Sequence, residues 1–234
     1  MTVQPYFVLE QQSPAWCNSQ RKRVLDIAFA SLALVVTAPL MLLIAVAIRA
    51  TSRGPVLFRQ SRSGLNGHPF QLLKFRTMRM MAAESGPGIT RAGDARITRV
   101  GHWLRKWKLD ELPQLINVLL GEMSIVGPRP DLERYWRQTS DTEREVLSTK
   151  PGMTGAASLV FRNEEALLAG VPESELAFFY VHRLLPRKAR LDREYAAQST
   201  FWSDCSILMK TIFRIFSNHP FSQEIEEIHE QFPR

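Results

Sequence analysis

The sequence predicts an α+β protein that is predominantly helical, with a short β-hairpin and a membrane helix near the N-terminus. Three observations point to this fold class. Residues 27–48 contain no charged side chain, two strand-like segments flank a glycine-rich turn at 64–67, and much of the remainder has helical periodicity. At 234 residues, the chain is long enough for one domain with a membrane anchor.

The chain is basic, with 30 Lys and Arg against 23 Asp and Glu and a formal net charge of +7. Such a balance implies an anionic partner: nucleic acid, anionic lipid or a phosphorylated substrate. The basic residues are spread along the chain without a nucleic-acid-binding motif, so we expect no nucleic-acid partner. Cys17 and Cys205 cannot form a multi-bridge disulfide framework, and the histidines lack zinc-ligand spacing.

The apolar segment 27–48 is the candidate anchor. As a helix it would extend roughly 33 Å, which is about the thickness of a bilayer hydrocarbon core. It starts too far from the N-terminus and is too long for a signal-peptide core, and no persuasive cleavage site follows it.

Two features argue against a simple transmembrane span. Pro39 lies in the middle of the segment, where it removes a backbone donor and bends a helix. Both flanks are also basic, although the positive-inside rule places Lys and Arg on the cytoplasmic side. A re-entrant helix broken at Pro39 would keep both flanks on one face, whereas an ordinary span would tolerate the proline. The residues alone leave both alternatives open, and Asp26 is expected to pair with a flanking arginine or to be solvated.

Strands are predicted within 55–64 and 70–77, joined by a hairpin turn, and a mobile loop within 78–95. Helices are predicted at 97–120 with an interruption near Pro113, and at 131–147, 164–168, 173–185 and 203–217. The domain boundaries are an irregular lead-in at 1–20, the membrane helix at 21–50, a cytoplasmic catalytic domain at 51–217 and a C-terminal tail at 218–234.

Two of these helices are candidates for the membrane interface. The last one places Leu208, Ile212, Ile215 and Phe216 on one face. The segment containing Trp103, Lys106, Trp107 and Lys108 combines aromatic and basic side chains in the way that interfacial helices do. For any one such helix, a packed helix with a solvated basic edge is the alternative.

Asp110 and Glu111 form the most informative dipeptide of the chain. Pro113 favours a helix start near them, where we expect a carboxylate close to Arg105 to remain ionised. An ionised Asp can attack phosphorus to form an acyl phosphate, and a second carboxylate can hold Mg²⁺ beside substrate phosphates. An acid pair that caps a surface helix is the more common role for this dipeptide by itself.

Further cations accompany the carboxylate pair. Lys74 and Arg76 occupy alternate positions of a predicted strand and therefore one face of it. Arg129 lies in the rigid Gly-Pro-Arg-Pro segment at 127–130, and guanidinium groups bind phosphate in a bidentate manner. Together with the apolar segment, these residues indicate phosphate chemistry at a membrane surface.

Taken together, the motifs resemble the bacterial sugar transferase family, the monotopic phosphoglycosyl transferases, in its minimal form. The resemblance extends over about residues 22–216. The residues that carry it lie, in order, at 22–26, 38–39, 74–78, 96–101, 104–106, 109–115, 117–119, 121–130 and 151–155.

This resemblance implies transfer of a sugar-1-phosphate from a UDP-sugar to polyprenyl (undecaprenyl) phosphate, with release of UMP, in bacterial polysaccharide or glycoconjugate synthesis. It implies that Asp110 is the nucleophile, that Glu111 coordinates Mg²⁺ and that Arg105 and Arg129 hold phosphate oxygens, with Lys74 and Arg76 in support. It also implies a re-entrant helix broken at Pro39, and hence a monotopic protein in contact with membrane lipids at the cytoplasmic face of the bacterial inner membrane.

The chain departs from the family pattern at two places. Ala38 replaces the serine that commonly precedes the breaking proline, and residues 156–163 replace the usual sequence after the 151–155 turn, although Arg162 and Asn163 match as candidate substrate-binding residues. The sequence does not specify the sugar or the pathway, and it does not decide whether the protein forms a homodimer. A non-enzymatic membrane-associated binding protein and a metal-dependent diphosphate hydrolase are the competing functional hypotheses.

Overall fold

The computed structural model describes residues 16–79, 89–90 and 92–216. It confirms the predominantly helical α+β class with a short hairpin. The predicted C-terminal tail, most of the lead-in and much of the predicted loop lie outside the described residues. In chain order, the helices and strands are α1 (Gln20–Thr51), β1 (Leu57–Ser63), β2 (Pro69–Phe75), α2 (Arg99–Lys106), α3 (Gln114–Leu120), β3 (Ser124–Val126), α4 (Glu133–Trp136), α5 (Asp141–Arg144), β4 (Gly152–Thr154), α6 (Ala156–Val160), α7 (Glu164–Ala169), α8 (Leu176–Phe179), α9 (Leu185–Gln198) and α10 (Phe201–Phe216).

Helix α1 is the apolar helix that the sequence predicts. Ser19 caps its start by accepting a hydrogen bond from the Lys22 amide at 3.1 Å. The helix is continuous across Pro39, so a break there is not confirmed and the re-entrant path stays a prediction. Two residues earlier, the Thr37 hydroxyl donates to the Ala33 carbonyl at 2.7 Å, a bond that often accompanies helix bending.

Both ends of α1 pack onto the folded domain. Ala30, in the first half, lies in an apolar cluster with Val118 of α3, whereas Ile44 and Ile48 pack near Leu104 of α2. Only 11% of the most apolar 18-residue stretch of α1 is buried, so α1 is not the core helix of a soluble fold. Among the described residues, it is the one helix long and apolar enough to cross a membrane.

The environment of Asp26 differs from the expectation. The side chain is buried and pairs with no arginine among the described residues, and its carboxylate accepts hydrogen bonds from the Ser124 hydroxyl at 2.8 Å and the Ile125 amide at 3.0 Å. The side chain therefore attaches α1 to the edge of strand β3. A buried acid with two donors is the arrangement that offsets the cost of its desolvation.

The hairpin is confirmed. Strands β1 and β2 pair antiparallel, from Leu57 opposite Phe75 to Ser63 opposite Pro69. Asn66 has a φ angle of 54° in the connecting turn, a conformation that Asn tolerates better than most residues.

The predicted interruption of the 97–120 segment near Pro113 is confirmed, because α2 ends at Lys106 and α3 begins directly after Pro113. Other boundaries differ from the predictions. The 131–147 segment forms the short helices α4 and α5, followed by a 3₁₀ turn, rather than one helix. The predicted helix at 173–185 corresponds to α8 and a π-helical segment, Tyr180–Leu184, which leads into α9.

The sequence does not predict the parallel pairing of β3 with β4, because each strand has only three residues and β4 contains a glycine. The backbones meet closely here: a Cβ on Gly152 would lie 2.1 Å from the Gly127 amide nitrogen. Glycine is therefore required at this contact, which holds the start of the 127–130 segment against β4.

The predicted amphipathic helix at 203–217 corresponds to α10, and the apolar residues of its predicted face differ in burial. Leu208 is half-buried beside the buried Ile207, whereas Ile212 is 42% exposed, and the side chains of 215 and 216 lie outside the description. The exposed face of α10 is itself apolar, since it carries Trp202, Met209 and Phe213. This is the surface expected of a helix that lies on a membrane.

Candidate active site

The carboxylate pair lies in a 3₁₀ turn, Leu109–Glu111, between α2 and α3. Lys108 precedes this turn with a φ angle of 56°, a left-handed conformation that is uncommon for a residue with a side chain. The reversal at Lys108 ends α2 and directs the two acids toward the hairpin. Such strained positions cluster at functional sites.

Asp110 is a buried carboxylate whose Oδ1 atom has no hydrogen-bond partner among the described residues. Burial, and next the neighbouring charge of Glu111, raises the pKa of the Asp110 carboxyl. A raised pKa is contrary to the expectation that this carboxylate remains ionised. The unpartnered oxygen is nevertheless available to attack phosphorus when the carboxyl is ionised.

Glu111 has the opposite environment. Its Oε1 atom accepts hydrogen bonds from Lys74 Nζ at 3.0 Å and from Arg129 Nη2 at 2.6 Å. Burial raises the pKa of Glu111, but Arg129 and then Lys74 outweigh this and bring it well below its ordinary value. Glu111 is therefore ionised, and both partners were among the predicted site residues.

The acid pair borders two adjoining cavities that share part of their lining, including Lys74, Arg105, Glu111 and Arg129. The cavity of about 180 Å³ that Asp110 lines is called the Asp110 lobe. The cavity of about 220 Å³ that Arg162 lines is called the Arg162 lobe. Adjoining basic cavities can hold a ligand with more than one anionic group.

The other predicted residues separate into two groups. Arg76 lines the Asp110 lobe and donates from Nη2 to the Ser52 carbonyl at 2.8 Å, at the end of α1, while its buried Nε and Nη1 atoms have no partner among the described residues. Arg105 lies between the lobes and pairs with Glu165 at 2.5 Å. Arg162 lines the Arg162 lobe, whereas Asn163 is exposed and lines neither cavity.

Several residues of the site escape sequence reasoning. Arg62, on β1, contacts Asp131 at 3.4 Å, and Asp131 accepts a hydrogen bond from the Tyr180 hydroxyl at 2.8 Å. Lys188 donates to Tyr180 at 2.8 Å and pairs with Glu164 at 3.1 Å. A lysine in a basic stretch of sequence gives no indication that it is buried in a site, so Lys188 is identified only by its long-range partners.

The two carboxylates of the acid pair are the candidate metal donors of the site. No group of three or more His, Cys, Asp or Glu side chains with metal-site geometry occurs among the described residues. Asp110 Oδ1 is unpartnered, and Glu111 Oε2 makes only a 3.5 Å contact with Arg129. Mg²⁺ is commonly held by one or two carboxylates together with substrate phosphates, so this donor set fits Mg²⁺ bound along with a diphosphate.

Comparison with known proteins identifies the family. The family model described as bacterial sugar transferase matches residues 17–218, which include the acid pair and both lobes. The chain belongs to the bacterial sugar transferase family. The resemblance drawn from the motifs is thereby confirmed.

Named relatives extend this comparison. The chain is 41% identical over 197 residues to a UDP-glucose:undecaprenyl-phosphate glucose-1-phosphate transferase of Caulobacter vibrioides, covering 82% of this chain and 68% of that protein. A protein of the same name from Escherichia coli is 38% identical over 207 residues, covering 86% of this chain and 41% of that protein.

A third relative has a different sugar in its name. It is the UDP-N-acetylgalactosamine-undecaprenyl-phosphate N-acetylgalactosaminephosphotransferase of Aeromonas hydrophila, which is 35% identical over 202 residues. The match covers 84% of this chain and 44% of that relative, so the chain spans less than half the length of this protein and of the Escherichia coli one. The family likeness therefore does not specify one sugar.

Proposed function

We propose that this protein transfers a sugar-1-phosphate from a UDP-sugar to polyprenyl phosphate through a covalent intermediate on Asp110, with release of UMP. The observation that carries the proposal is the free, buried Oδ1 atom of Asp110 in a cavity lined by basic side chains. The names of the relatives support the two substrate classes.

In the first step, an oxygen of the Asp110 carboxylate attacks the phosphorus that carries the sugar. A bond forms between this oxygen and the phosphorus, and the bond from the phosphorus to the bridging oxygen of the diphosphate breaks. UMP leaves with the bridging oxygen and its electron pair. Lys74, Arg105 and Arg129 would hold the non-bridging oxygens and offset the charge that develops there.

In the second step, a phosphate oxygen of the lipid acceptor attacks the same phosphorus. The new bond produces polyprenyl diphosphate sugar, and the bond to Asp110 breaks and restores the carboxylate. The covalent intermediate lets one site receive a water-soluble donor and a lipid acceptor in turn.

Glu111 would hold Mg²⁺ when the diphosphate is bound. The ion would supply charge neutralisation of the diphosphate and of the departing UMP. Lys74 and Arg129 form ion pairs with Glu111, and the diphosphate would take over these two cations as it binds.

We also propose that the site lies at the cytoplasmic membrane surface. The packing of both ends of α1 onto one domain supports a path in which the apolar helix enters and leaves on the same side, as do the basic flanks. The apolar exposed face of α10 supports a second contact with the head-group region.

The decisive test is UMP release by purified protein without acceptor. We expect about one equivalent of UMP per active protein from the cognate UDP-sugar, continued turnover only after polyprenyl phosphate is added, and a mass increase of one sugar phosphate on Asp110. Asp110→Asn should eliminate all three signals, because the amide is not a nucleophile.

Two results would contradict the proposal. Continued UMP release without acceptor would indicate the diphosphate hydrolase, and full turnover by Asp110→Asn would exclude the aspartyl intermediate. Asp141→Asn, which changes an almost fully exposed carboxylate, is the matched control and should behave as the unaltered protein.

A further inference from the structure

Arg76 is a buried cation at the end of the Asp110 lobe next to α1. The residue is 5% exposed, and its Nε and Nη1 atoms have no hydrogen-bond partner among the described residues. Its Nη2 atom donates to the carbonyl and the hydroxyl of Ser52 at 2.8 and 2.7 Å, and both acceptors are neutral. In the described part of the chain, no carboxylate pairs with this guanidinium, so its positive charge is uncompensated.

The other described arginines that line this lobe each have a carboxylate partner. These ion pairs are Arg62 with Asp131, Arg96 with Asp94, Arg105 with Glu165 and Arg129 with Glu111. Burial, and next the positive charge of Arg49, lowers the pKa of Arg76, as expected for a cation without an anion beside it. A buried charge of this kind is costly unless a ligand supplies the anion, so Arg76 is a candidate binding residue.

The wall of the lobe around Arg76 is apolar and continues to the membrane helix. Leu57 and Phe75 line the lobe and pack in one apolar cluster with Ile44 and Ile48 of α1. Further apolar side chains of the lining are Pro55, Phe58 and Met78. The lobe therefore joins a buried cation to apolar surface that extends from α1, which is a combination suited to an anionic lipid.

The contact with Ser52 places Arg76 at the depth of the lipid head groups. Ser52 is the C-cap residue of α1, and its amide donates to the Ile48 carbonyl at 3.1 Å. The ends of a membrane helix lie at the boundary between hydrocarbon and head groups, where lipid phosphates are found. Lys74, Arg105 and Arg129 line both lobes, whereas Arg76 lines the Asp110 lobe alone. The cations shared by the lobes suit the soluble donor, and Arg76 suits a phosphate that arrives from the membrane.

We propose that Arg76 binds the phosphate of the polyprenyl phosphate acceptor, and that the apolar wall of the Asp110 lobe holds the first isoprene units of this lipid. This inference rests on the proposed function, whose acceptor subsite it names. The phosphate monoester would supply the anion that Arg76 lacks and form charge-assisted hydrogen bonds with its guanidinium. The prenyl chain would cover Leu57 and Phe58 and continue along α1 into the membrane.

The subsite completes the second step of the reaction. Arg76 and Asp110 line the same lobe, and no hydrogen bond or ion pair joins them in the described structure, so a phosphate can lie between them. Arg76 would hold one terminal oxygen of the acceptor phosphate while another forms the bond to the sugar-bearing phosphorus. The bond between this phosphorus and Asp110 breaks, and its electron pair returns to the carboxylate. No other reactant is consumed.

The kinetic test compares Arg76→Gln with Arg59→Gln, which alters an exposed arginine of β1 that lines neither lobe. For Arg76→Gln, we expect the KM for polyprenyl phosphate to rise about tenfold to a hundredfold, as for loss of a charge-assisted hydrogen bond. The UMP burst without acceptor should change far less, because it requires only the donor. Arg76→Lys should have an intermediate KM, since it keeps the charge and loses the planar guanidinium. Arg59→Gln should match the unaltered protein.

Melting temperatures in detergent micelles separate ligand binding from a structural role and do not depend on turnover. An uncompensated buried cation does not stabilise the free protein, so the Tm of free Arg76→Gln should equal or exceed that of the unaltered protein. Polyprenyl phosphate should raise the Tm of the unaltered protein more than neutral polyprenol does, and Arg76→Gln should remove this difference. If the unaltered protein shows no UMP burst, the proposed function fails, while the comparison of the two lipids still decides the phosphate subsite.

Four outcomes would overturn the inference. A raised donor KM or a reduced burst in Arg76→Gln, with the acceptor KM unchanged, would assign Arg76 to the donor diphosphate. Equal Tm shifts of the unaltered protein with polyprenyl phosphate and polyprenol would exclude a phosphate subsite. An equal shift with phosphatidylglycerol would indicate a general contact with lipid phosphate. A lower Tm of free Arg76→Gln with an unchanged acceptor KM would show that Arg76 has only a structural role.

Discussion

Arg129 Nη2 lies 2.6 Å from Glu111 Oε1, and this ion pair separates the roles of two adjacent carboxylates. Glu111 is held ionised by Arg129 and Lys74, while Asp110 keeps an unpartnered oxygen and a raised pKa. Neighbouring acids whose pKa values are displaced in opposite directions are typical of sites where each has a separate task.

Arg129→Gln should destabilise the protein, because it leaves the buried Glu111 carboxylate with only Lys74 as a cation. The expected loss in free energy of unfolding is about 3 kcal/mol, measured by thermal or denaturant unfolding in detergent. The double variant Arg129→Gln with Glu111→Gln should recover much of the loss, since it removes the unpaired charge. A double variant less stable than Arg129→Gln would contradict this electrostatic explanation.

The rate of the UMP burst should fall as the pH is lowered, because protonated Asp110 cannot attack phosphorus. Burial and Glu111 raise the pKa of Asp110, so this fall should occur at a higher pH than for an ordinary aspartate. Single-turnover measurements between about pH 4 and pH 8 would locate the midpoint. Glu111→Gln should move the midpoint lower, as it removes a negative neighbour, and a shift to higher pH would refute the assignment.

The buried Asp192 carboxyl should make the free energy of unfolding depend on pH. It accepts a hydrogen bond from the Ala157 amide at 3.0 Å, and burial raises its pKa to about 7. Between about pH 4 and pH 7 the native state retains a proton that the unfolded state releases, so the free energy of unfolding decreases as pH rises, by on the order of 4 kcal/mol. Unfolding across this range should show the decrease, and Asp192→Asn should flatten it. An equally steep dependence in the variant would assign it to other groups.

Asn117 joins α3 to the hairpin, and its loss should loosen the site. Its side chain accepts from the Leu73 amide at 3.0 Å and donates to the Gln71 carbonyl at 2.8 Å, next to Lys74 on the same strand. Asn117→Ala should cost about 2–3 kcal/mol in unfolding free energy.

The same variant should lower kcat more than it raises the donor KM, because Lys74 would be less well placed against Glu111. Gln138→Ala is the matched control, since that amide is exposed and, within the described structure, donates to the Arg134 carbonyl one turn earlier. Equal effects of the two substitutions would show that Asn117 has no particular role in positioning the hairpin.

The path of α1 can be tested with Gln20→Cys and Arg53→Cys, placed singly at exposed positions on either side of the apolar segment in a Cys205→Ser background. The remaining Cys17 is buried. A membrane-impermeant maleimide should label neither position in intact cells and both after permeabilisation, because the re-entrant path keeps both flanks inside. Labelling of one flank alone in intact cells would establish an ordinary span.

Local features of this protein were accessible from the sequence because they depend on residues close together in the chain. The absence of charge over 27–48 predicted α1, and two strand-like segments around a Gly-Leu-Asn-Gly turn predicted the hairpin. Elements with weak local signals were not predicted correctly. The three-residue strands β3 and β4 are specified by backbone contact at Gly127 and Gly152, which no periodicity reveals.

The sequence by itself determined the family and the acid pair, because the order and spacing of the motifs are linear properties of the chain. Only the tertiary structure decided which cation faces which acid. Lys74 meets Glu111 across 37 positions and Arg105 meets Glu165 across 60, whereas Arg162 receives no partner from the described residues. Charge pairing in a cavity depends on distance and burial, and both arise only when segments remote in sequence pack together.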